Sequence, residues 1–266
     1  MTRLAFAHDG LHLAGYDRGK GPPVVFQHGM GGDVNQVNEH FPLDHFRCLT
    51  LECRAHGGSD AGPSERFSIP QFAEDVLAFA DERGVARFAV GGISMGAALA
   101  LRIAVLAPER VSALILARPA WSWRASPHNM QVFLELATFL RGNDRTAFEA
   151  TATAKHFTSQ APDNYNSLLA AFSRPEPTLF ADLGSHIAQG GPNITEKQVA
   201  ALNVPTLVLG NDTDLIHPMS LAEELAATIP QAHLMKLTSK AADKVKHALE
   251  FRAAVASFLI ETGHVQ

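Results

Sequence analysis

The sequence has only two cysteines, no long apolar run and no block of like charge. Cys48 and Cys53 lie on one predicted strand at an odd separation, so their side chains point to opposite faces and no disulfide is expected between them. No apolar stretch reaches the roughly eighteen residues that a membrane-spanning helix needs. The first ten residues are too short and too interrupted by charge to form a secretory signal. These absences predict a reduced, cytoplasmic protein with no membrane partner.

Clusters of basic residues and metal-ligand spacings are absent as well. The 27 acidic and 22 basic residues are scattered and give a net charge of −5, whereas a nucleic-acid surface needs clustered Lys and Arg. The 13 histidines are dispersed, and no glycine-rich phosphate loop is visible. We therefore expect no nucleic-acid partner, no metal and no organic cofactor. A small-molecule substrate is the expected partner.

Short apolar runs alternate with helical patterns along most of the 266 residues, of which 46% are apolar. Six of these runs are predicted strands, at residues 24–28, 47–52, 88–92, 113–117, 206–210 and 233–237. A predicted hairpin at residues 4–7 and 11–16 precedes them, and helical patterns occupy residues 69–83, 94–106, 219–228 and 247–261. Such alternation is typical of βαβ units. We predict an α/β fold with a mostly parallel, doubly wound, eight-stranded sheet.

One segment interrupts this alternation. Residues 119–202 contain helical patterns and no strand signal, so we predict a helical cap inserted into a core made of residues 1–118 and 203–266. Open α/β sheets bind ligands at the carboxyl ends of their strands, where this cap is expected to lie. Trp121 and Trp123 directly follow a strand end and are the predicted substrate-binding residues. The apolar content of the cap also permits a homodimer.

The strongest functional signal is a G-x-S-x-G pattern, which residues 92–96 form around Ser94. The pattern follows an apolar strand and opens a helix, and in that setting a serine can be held on a sharp, strained turn with its hydroxyl exposed. Gly92 and Gly96 suit this turn because side chains there would clash with the neighbouring strand and helix. The alternative is an ordinary serine N-cap on the helix. We predict that Ser94 is a nucleophile.

A serine nucleophile needs a general base and an acidic residue that orients the base. In the chain order serine, acid, histidine, the acid directly follows a later strand. Asp212 and Asp214 both follow the strand predicted at residues 206–210, at the same end of the sheet as Ser94. Either carboxylate could therefore serve as the acid.

Among the later histidines, His247 is the predicted base because it begins the last predicted helix, beyond the last strand. His233 lies at the start of a strand, on the wrong edge of the sheet. His264 lies in a tail that is expected to fray. The serine, the acid and His247 are thus predicted to meet at the carboxyl end of the sheet.

Two loops resemble those of the α/β-hydrolase superfamily, and the resemblance extends over nearly the whole chain. Residues 27–32, QHGMGG, look like the superfamily's oxyanion loop, and residues 54–60, RAHGGSD, are similar to a segment that follows the next strand. The resemblance implies that the backbone N–H groups of Met30 and Met95 bind the oxyanion that forms during the reaction. It also implies a bracing role for His28 within the oxyanion loop.

The resemblance also bears on the acid and the base. Asp214 lies four residues before Pro218, which matches the superfamily's signature around the acid and favours Asp214 over Asp212. His247 and the helix after it are similar to the superfamily's final histidine and helix. The sequence departs from the usual pattern at Lys246, where relatives have glycine. The backbone near His247 is therefore expected to differ.

Together these features predict a serine hydrolase that cleaves a small carboxylic ester or lactone through Ser94, His247 and Asp214, with an acyl-enzyme intermediate. The same three residues could instead cleave a carbon–carbon bond or an amide. A protein of another class, one that senses a ligand with slow or no turnover, also remains open.

Overall fold

The computed structural model describes residues 3–264, which contain one eight-stranded sheet. Its strands are β1 (Leu4–His8), β2 (Leu11–Arg18), β3 (Pro23–Gln27), β4 (Arg47–Leu51), β5 (Phe88–Ile93), β6 (Val111–Ala117), β7 (Thr206–Gly210) and β8 (Ala232–Lys236). They lie in the order β1-β2-β4-β3-β5-β6-β7-β8. Strand β2 pairs antiparallel with β1 and β4, and all other pairs are parallel. The predicted α/β fold class is confirmed.

Eleven α-helices accompany the sheet within the described residues. They are α1 (Val34–His40), α2 (Ile69–Glu82), α3 (Met95–Leu106), α4 (Val132–Arg141), α5 (Arg145–Ala150), α6 (Ala152–Gln160), α7 (Pro162–Ala170), α8 (Pro177–Gln189), α9 (Glu196–Ala200), α10 (Met219–Thr228) and α11 (Lys244–Glu261). The sequence pattern does not predict α1, because only seven residues form it and their apolar content is low. None of the helices in residues 3–264 has the length and apolar character needed to cross a membrane.

The sheet divides the core into two parts, because successive side chains of a strand point to opposite faces. Val90 faces the larger part, where α2, α3 and α10 pack. The neighbouring Ala89 faces the smaller part, where α1 and α11 pack. With both faces covered, the central strands are buried along their whole length, which explains their continuous apolar runs. Cys48 and Cys53 are buried as free thiols, as expected.

Helices α4 to α9 form the segment between β6 and β7, and this segment contains no strand, as predicted. Helices α4 and α8 pack against each other in this segment. Residues of α4, α7 and α8 face Ser94 across a cavity. The division of the chain into a core and a separate cap domain stays a prediction.

The last helix begins earlier than the sequence pattern predicts. Asp243 is its N-cap, and the Asp243 side chain accepts a hydrogen bond from the Lys246 N–H at 2.9 Å. Helix α11 therefore starts at Lys244, and His247 lies inside its first turn. This shift of three residues decides which way the His247 side chain points.

Candidate active site

Ser94 lies on a sharp turn between β5 and α3. Its backbone angles are φ 57° and ψ −112°, a conformation that costs a non-glycine residue roughly 1–3 kcal/mol. The turn is fixed from outside, because the Ser94 N–H donates to the Ala117 carbonyl on β6 at 2.9 Å. The Ser94 side chain faces a cavity and is partly exposed. This is the arrangement that the sequence pattern predicts for residues 92–96.

The two glycines of the pattern are required by close backbone approach. A Cβ on Gly96 would lie 2.4 Å from the Gln27 carbonyl oxygen, and a Cβ on Gly92 would lie 2.5 Å from the Gly96 carbonyl carbon. Real Cβ atoms do not approach backbone atoms so closely. Helix α3 can therefore press against the end of β3 only because both positions lack a side chain.

The predicted oxyanion loop lies directly against Ser94. A Cβ on Gly29 would come within 3.2 Å of the Ser94 Cβ, which measures how close the two segments are. Gly32 donates its N–H to the Gly29 carbonyl at 2.9 Å, which closes a turn with Met30 and Gly31 at its centre. Met30 lines the cavity beside Ser94.

Met95 lies on the other side of Ser94, as the first residue of α3. The N–H groups of a helix's first turn lack intrahelical acceptors and carry the positive end of the helix dipole. The backbone N–H of Met95 is thus suited to bind a developing oxyanion. The oxyanion roles of Met30 and Met95 stay predictions.

The side chains of His28, which is buried, and of Gln36 hold the predicted oxyanion loop in place. The His28 ring accepts a hydrogen bond at Nε2 from the Cys53 N–H at 3.0 Å, which leaves Nδ1–H to donate to the Gly29 carbonyl at 2.8 Å. Gln36 Oε1 accepts the Gly29 N–H at 2.7 Å. Burial lowers the pKa of His28, so the neutral ring that this bonding pattern requires is favoured. His28 makes the bracing contacts that the sequence analysis expects of it.

The cavity at Ser94 has a volume of about 280 Å³, near the lower limit of ligand pockets in proteins. Its walls come from the oxyanion loop, from the ends of β5, β6 and β7, and from the segment between β6 and β7. The lining residues include Met30, Ser94, Arg118, Phe133, Asp163, Arg174, His217 and Lys240.

Asp214 follows β7, as predicted, and is almost completely buried. Arg118, at the end of β6, donates two hydrogen bonds to Asp214 Oδ2, at 2.9 Å from Nε and 2.6 Å from a terminal nitrogen. Burial by itself raises the pKa of Asp214, but the neighbouring His217 and Arg118 lower it by more. The carboxylate is therefore ionised and holds a defined orientation. Asp212, its rival in the sequence, is exposed and pairs with Lys236.

His217 is the histidine that contacts Asp214. Its Nδ1 lies 2.9 Å from Asp214 Oδ1, and its backbone N–H donates to the same oxygen at 3.0 Å. The His217 ring is buried and lines the cavity with Ser94. Its Nε2 is buried and has no hydrogen-bond partner among the described residues.

His247 lies elsewhere, which corrects the predicted arrangement of acid and base. Its Nδ1 is 2.8 Å from the Thr238 carbonyl oxygen and not bonded to Asp214, and the ring packs near His40 and Phe251. His247 is completely buried and is not among the residues that line the Ser94 cavity. The physical reason is the early start of α11, which places this side chain on a helix face against α1.

Two further cations line the cavity. Lys240, in the loop before α11, forms no hydrogen bond or ion pair with a residue in the range 3–264, and burial followed by the Arg118 charge lowers its pKa to about 8. Arg174 donates to the Gly31 carbonyl and lies over the Phe180 ring at 4.3 Å, without a carboxylate partner in the described chain. Asp163 Oδ2 also lines this space without a hydrogen bond.

The two tryptophans that were predicted to bind substrate do not line this cavity. Trp121 is buried in the core, where its Nε1–H donates to the Gly190 carbonyl at 3.2 Å. Trp123 packs against Arg124, whose guanidinium lies 4.7 Å from the ring centroid. The aromatic residues at the cavity are instead Phe133 of α4 and Phe180 of α8. Proximity to a strand end therefore did not predict which residues reach the cavity.

Sequence reasoning assigned no role to His217, Lys240 or Arg174. A signal for His217 was available, because it follows Asp214 by three residues and precedes Pro218 within the segment already identified. Lys240 and Arg174 lie in loops whose paths the pattern of apolar residues does not determine.

Comparison with protein-family models matches residues 22–245 to a family described as alpha/beta hydrolase fold. The chain belongs to this family. Among curated proteins, the 2-hydroxymuconate semialdehyde hydrolase of Pseudomonas putida is 26% identical over 265 residues, covering 92% of this chain and 90% of that protein. The family thus agrees with the resemblance seen in the sequence.

Solved structures show the same fold at lower sequence identity. The enol-lactonase from Burkholderia xenovorans LB400 has a TM-score of 0.75 and 22% identity, covering 97% of this chain and all of that chain. A thermophilic esterase from Thermogutta terrifontis also has a TM-score of 0.75 and 22% identity, with complete coverage of both chains. At this identity the likeness concerns the fold.

Proposed function

We propose that this protein is a serine hydrolase that cleaves small carboxylic esters or lactones, with Ser94 as the nucleophile. The observation that supports it most is the strained backbone at Ser94, which faces a cavity beside the first N–H of α3 and the turn at Met30. Strain of this kind persists only where the surroundings enforce it, and it is concentrated at functional sites. An ordinary N-cap serine needs no positive φ, and Ser94 makes no side-chain capping bond.

The reaction proceeds in two halves. An imidazole accepts the Ser94 Oγ proton while Oγ bonds to the substrate carbonyl carbon, and the C=O electron pair moves onto the oxygen, where the N–H groups of Met30 and Met95 hold it. The intermediate collapses, the C–O bond to the leaving oxygen breaks, and that oxygen takes the imidazole proton. Water then gives a proton to the imidazole and attacks the acyl carbon. Ser94 Oγ leaves with the returned proton, and the acid is released.

The size and charge of the cavity restrict the substrate class. A volume of about 280 Å³ suits a small molecule. Lys240 and Arg174 place two unpaired cations on its walls, against one carboxylate, Asp163. A half-buried cation without an opposite charge is partly desolvated, and a substrate that brings a carboxylate would compensate for this. We therefore include esters and lactones that carry a negative charge in the proposed class.

The test is turnover of p-nitrophenyl acetate, p-nitrophenyl hydrogen succinate and a five-membered lactone by the native chain and by Ser94→Ala. The expected result is turnover that Ser94→Ala lowers by at least about 1,000-fold, with the succinate monoester preferred over the acetate. Ser122→Ala, which removes another buried serine hydroxyl, is the control and should keep native rates. Equal rates for the native chain and Ser94→Ala would refute the proposal.

A second candidate is hydrolysis of a carbon–carbon bond, which the name of the Pseudomonas putida relative favours. The same serine and oxyanion groups would serve, with a carbanion as the leaving group in place of an alkoxide. A substrate panel that includes a vinylogous 1,5-diketone with a carboxylate separates the two activities. Ligand binding without turnover of any of these compounds would indicate a sensor.

A further inference from the structure

The contact between His217 and Asp214 determines which nitrogen of the His217 ring carries the hydrogen. Asp214 Oδ1 lies 2.9 Å from His217 Nδ1, and both Oδ1 and Oδ2 are acceptors because the carboxylate is ionised. A bare Nδ1 at this distance would face a negative oxygen with its own lone pair. Nδ1 therefore carries the hydrogen and donates it to Asp214 Oδ1. A guanidinium can only donate, so with this tautomer the 3.1 Å contact between Arg118 and Nδ1 is not a hydrogen bond.

This tautomer leaves Nε2 without a hydrogen, as an acceptor. Nε2 is the His217 atom that is buried without a hydrogen-bond partner among the described residues, and the ring lines the same cavity as Ser94. General-base catalysis requires an acceptor nitrogen that a carboxylate orients close to the nucleophile, and His217 has the carboxylate and lies at the same cavity as Ser94. Ser94 and His217 share no hydrogen bond in this structure. Such bonds are often long in unliganded enzymes and tighten in the complex with substrate.

His247 differs from His217 in its position and in what orients its ring. Its Nδ1 is bonded to the Thr238 carbonyl oxygen, its ring lies between α11 and α1, and it does not line the cavity. Its Nε2 is also buried without a partner, but it has no carboxylate to orient the ring.

We infer that His217, oriented by Asp214, is the general base for Ser94, and that His247 is a structural residue. The inference rests on the proposed function, since it names the imidazole of that reaction. In the first half of the reaction the Ser94 Oγ proton moves to His217 Nε2 as the Oγ–C bond forms. The same proton then moves from Nε2 to the leaving oxygen as the scissile bond breaks, and water repeats the sequence in the second half.

The charges around His217 predict its pH dependence. Burial lowers the pKa of His217, Asp214 raises it, and Arg118 and Lys240 lower it again; these are the charged groups that face the ring. The pKa of His217 lies below its ordinary value of about 6.5. The base is therefore neutral and competent above that value, and the rate falls only as the pH drops through the lowered pKa.

The experiment measures the second-order rate of reaction with a fluorophosphonate, which needs an activated serine but no particular substrate. The variants are His217→Gln and His217→Gly on one side, and His247→Gln and His40→Gln on the other. A fifth variant, Lys240→Met, removes the ammonium group that lines the same cavity. His40 is a buried histidine whose Nδ1 bonds to the Gln36 carbonyl, so His40→Gln is the control for loss of a buried imidazole. Circular dichroism and thermal unfolding verify that each variant is folded.

The expected result is a loss of at least about 100-fold in the rate for both His217 variants, and less than about threefold for His247→Gln and His40→Gln. Added imidazole should restore part of the rate to His217→Gly, because the glycine leaves space beside Asp214 and Ser94. A residue with a merely structural role would not be rescued in this way. The native pH profile should have an apparent pKa below 6.5, and His247→Gln should leave it unchanged.

Three results would overturn the inference. Loss of reactivity in His247→Gln with retention in the His217 variants would return the role to His247. Retention in both sets, with loss in Lys240→Met, would make Lys240 the base. A native chain that does not react, and that turns over none of the substrates above, would refute the proposed function and this inference with it. The first two results leave the proposed function intact, so the two failures are distinguishable.

Discussion

The two sides of the Ser94 cavity are built in different ways. On the side of β3 and β5 the backbone sets the geometry, through the Ser94 N–H bond to β6 and the close approach of Gly29 and Gly96. On the side of β7 and β8, side chains set it, because Asp214 takes its partners from Arg118 and His217. Backbone contacts leave few alternatives, whereas a carboxylate can accept hydrogen bonds from any donor that reaches it. The sequence therefore predicts the wrong histidine beside Asp214 on the side of β7 and β8, where His217 and not His247 makes the contact.

The largest expected effect comes from removing the Asp214 carboxylate, on the side of the cavity where side chains set the geometry. Asp214→Asn should lower the rate with p-nitrophenyl acetate by about 1,000-fold, because an amide cannot hold the tautomer or stabilise the imidazolium as a carboxylate does. Asp212→Asn is the matched control and should keep the native rate, since its carboxylate is exposed. Steady-state kinetics of both variants shows which of the two aspartates is the acid. A greater loss in Asp212→Asn would mean that the acid has been misassigned.

Substitution of two helical glycines tests the side of the cavity where backbone contacts set the geometry. Gly96→Ala should lower the free energy of unfolding by about 2 kcal/mol, because its Cβ meets the Gln27 carbonyl oxygen and neither backbone segment can move freely. Gly184→Ala, in α8, has no neighbour closer than 3.7 Å to the new Cβ and should raise the same quantity by about 0.5–1 kcal/mol. Urea unfolding measures both. Similar values for the two variants would contradict the close packing of α3 on β3.

The bracing of the oxyanion loop predicts acid sensitivity. Burial lowers the pKa of His28 and of His56, whose rings lie 4.8 Å apart. Both pKa values are lower in the folded than in the unfolded chain, so the unfolded chain binds more protons below about pH 6.5. The free energy of unfolding should therefore be at its plateau above that pH and fall as the pH drops. Unfolding curves at several pH values measure this, and His56→Gln should flatten the dependence. An unchanged slope in that variant would exclude His56 as a contributor.

The smallest expected effect concerns the helical segment above the cavity. Phe133→Ala should raise the KM for p-nitrophenyl acetate by roughly three- to tenfold, because it removes an apolar wall of the cavity. Trp123→Ala should change KM by less than about twofold, since Trp123 does not line that cavity. The reverse order of effects would show that substrate binds nearer the tryptophan.

These contrasts explain what could be read from the sequence. The sheet, the turn at Ser94 and the loop at His28 follow from apolar runs and from glycines that mark close backbone contacts, and the structure agrees with them. The position of His247 could not be predicted, because it depends on where Asp243 caps α11, and a pattern of apolar residues leaves helix ends uncertain by several residues. The sequence assigns no role to His217, although it lies in a recognised segment, because His247 matches the superfamily's final histidine and fills the place of the base.

The most direct test of the account is to locate the covalent adduct formed by a fluorophosphonate, using intact mass and peptide mapping of the native chain. We predict one phosphonyl group per chain, bonded to Ser94, because this is the serine on the strained turn that faces the cavity. An adduct on another residue, or no adduct under conditions where the chain is folded, would contradict the assignment of Ser94 as the nucleophile.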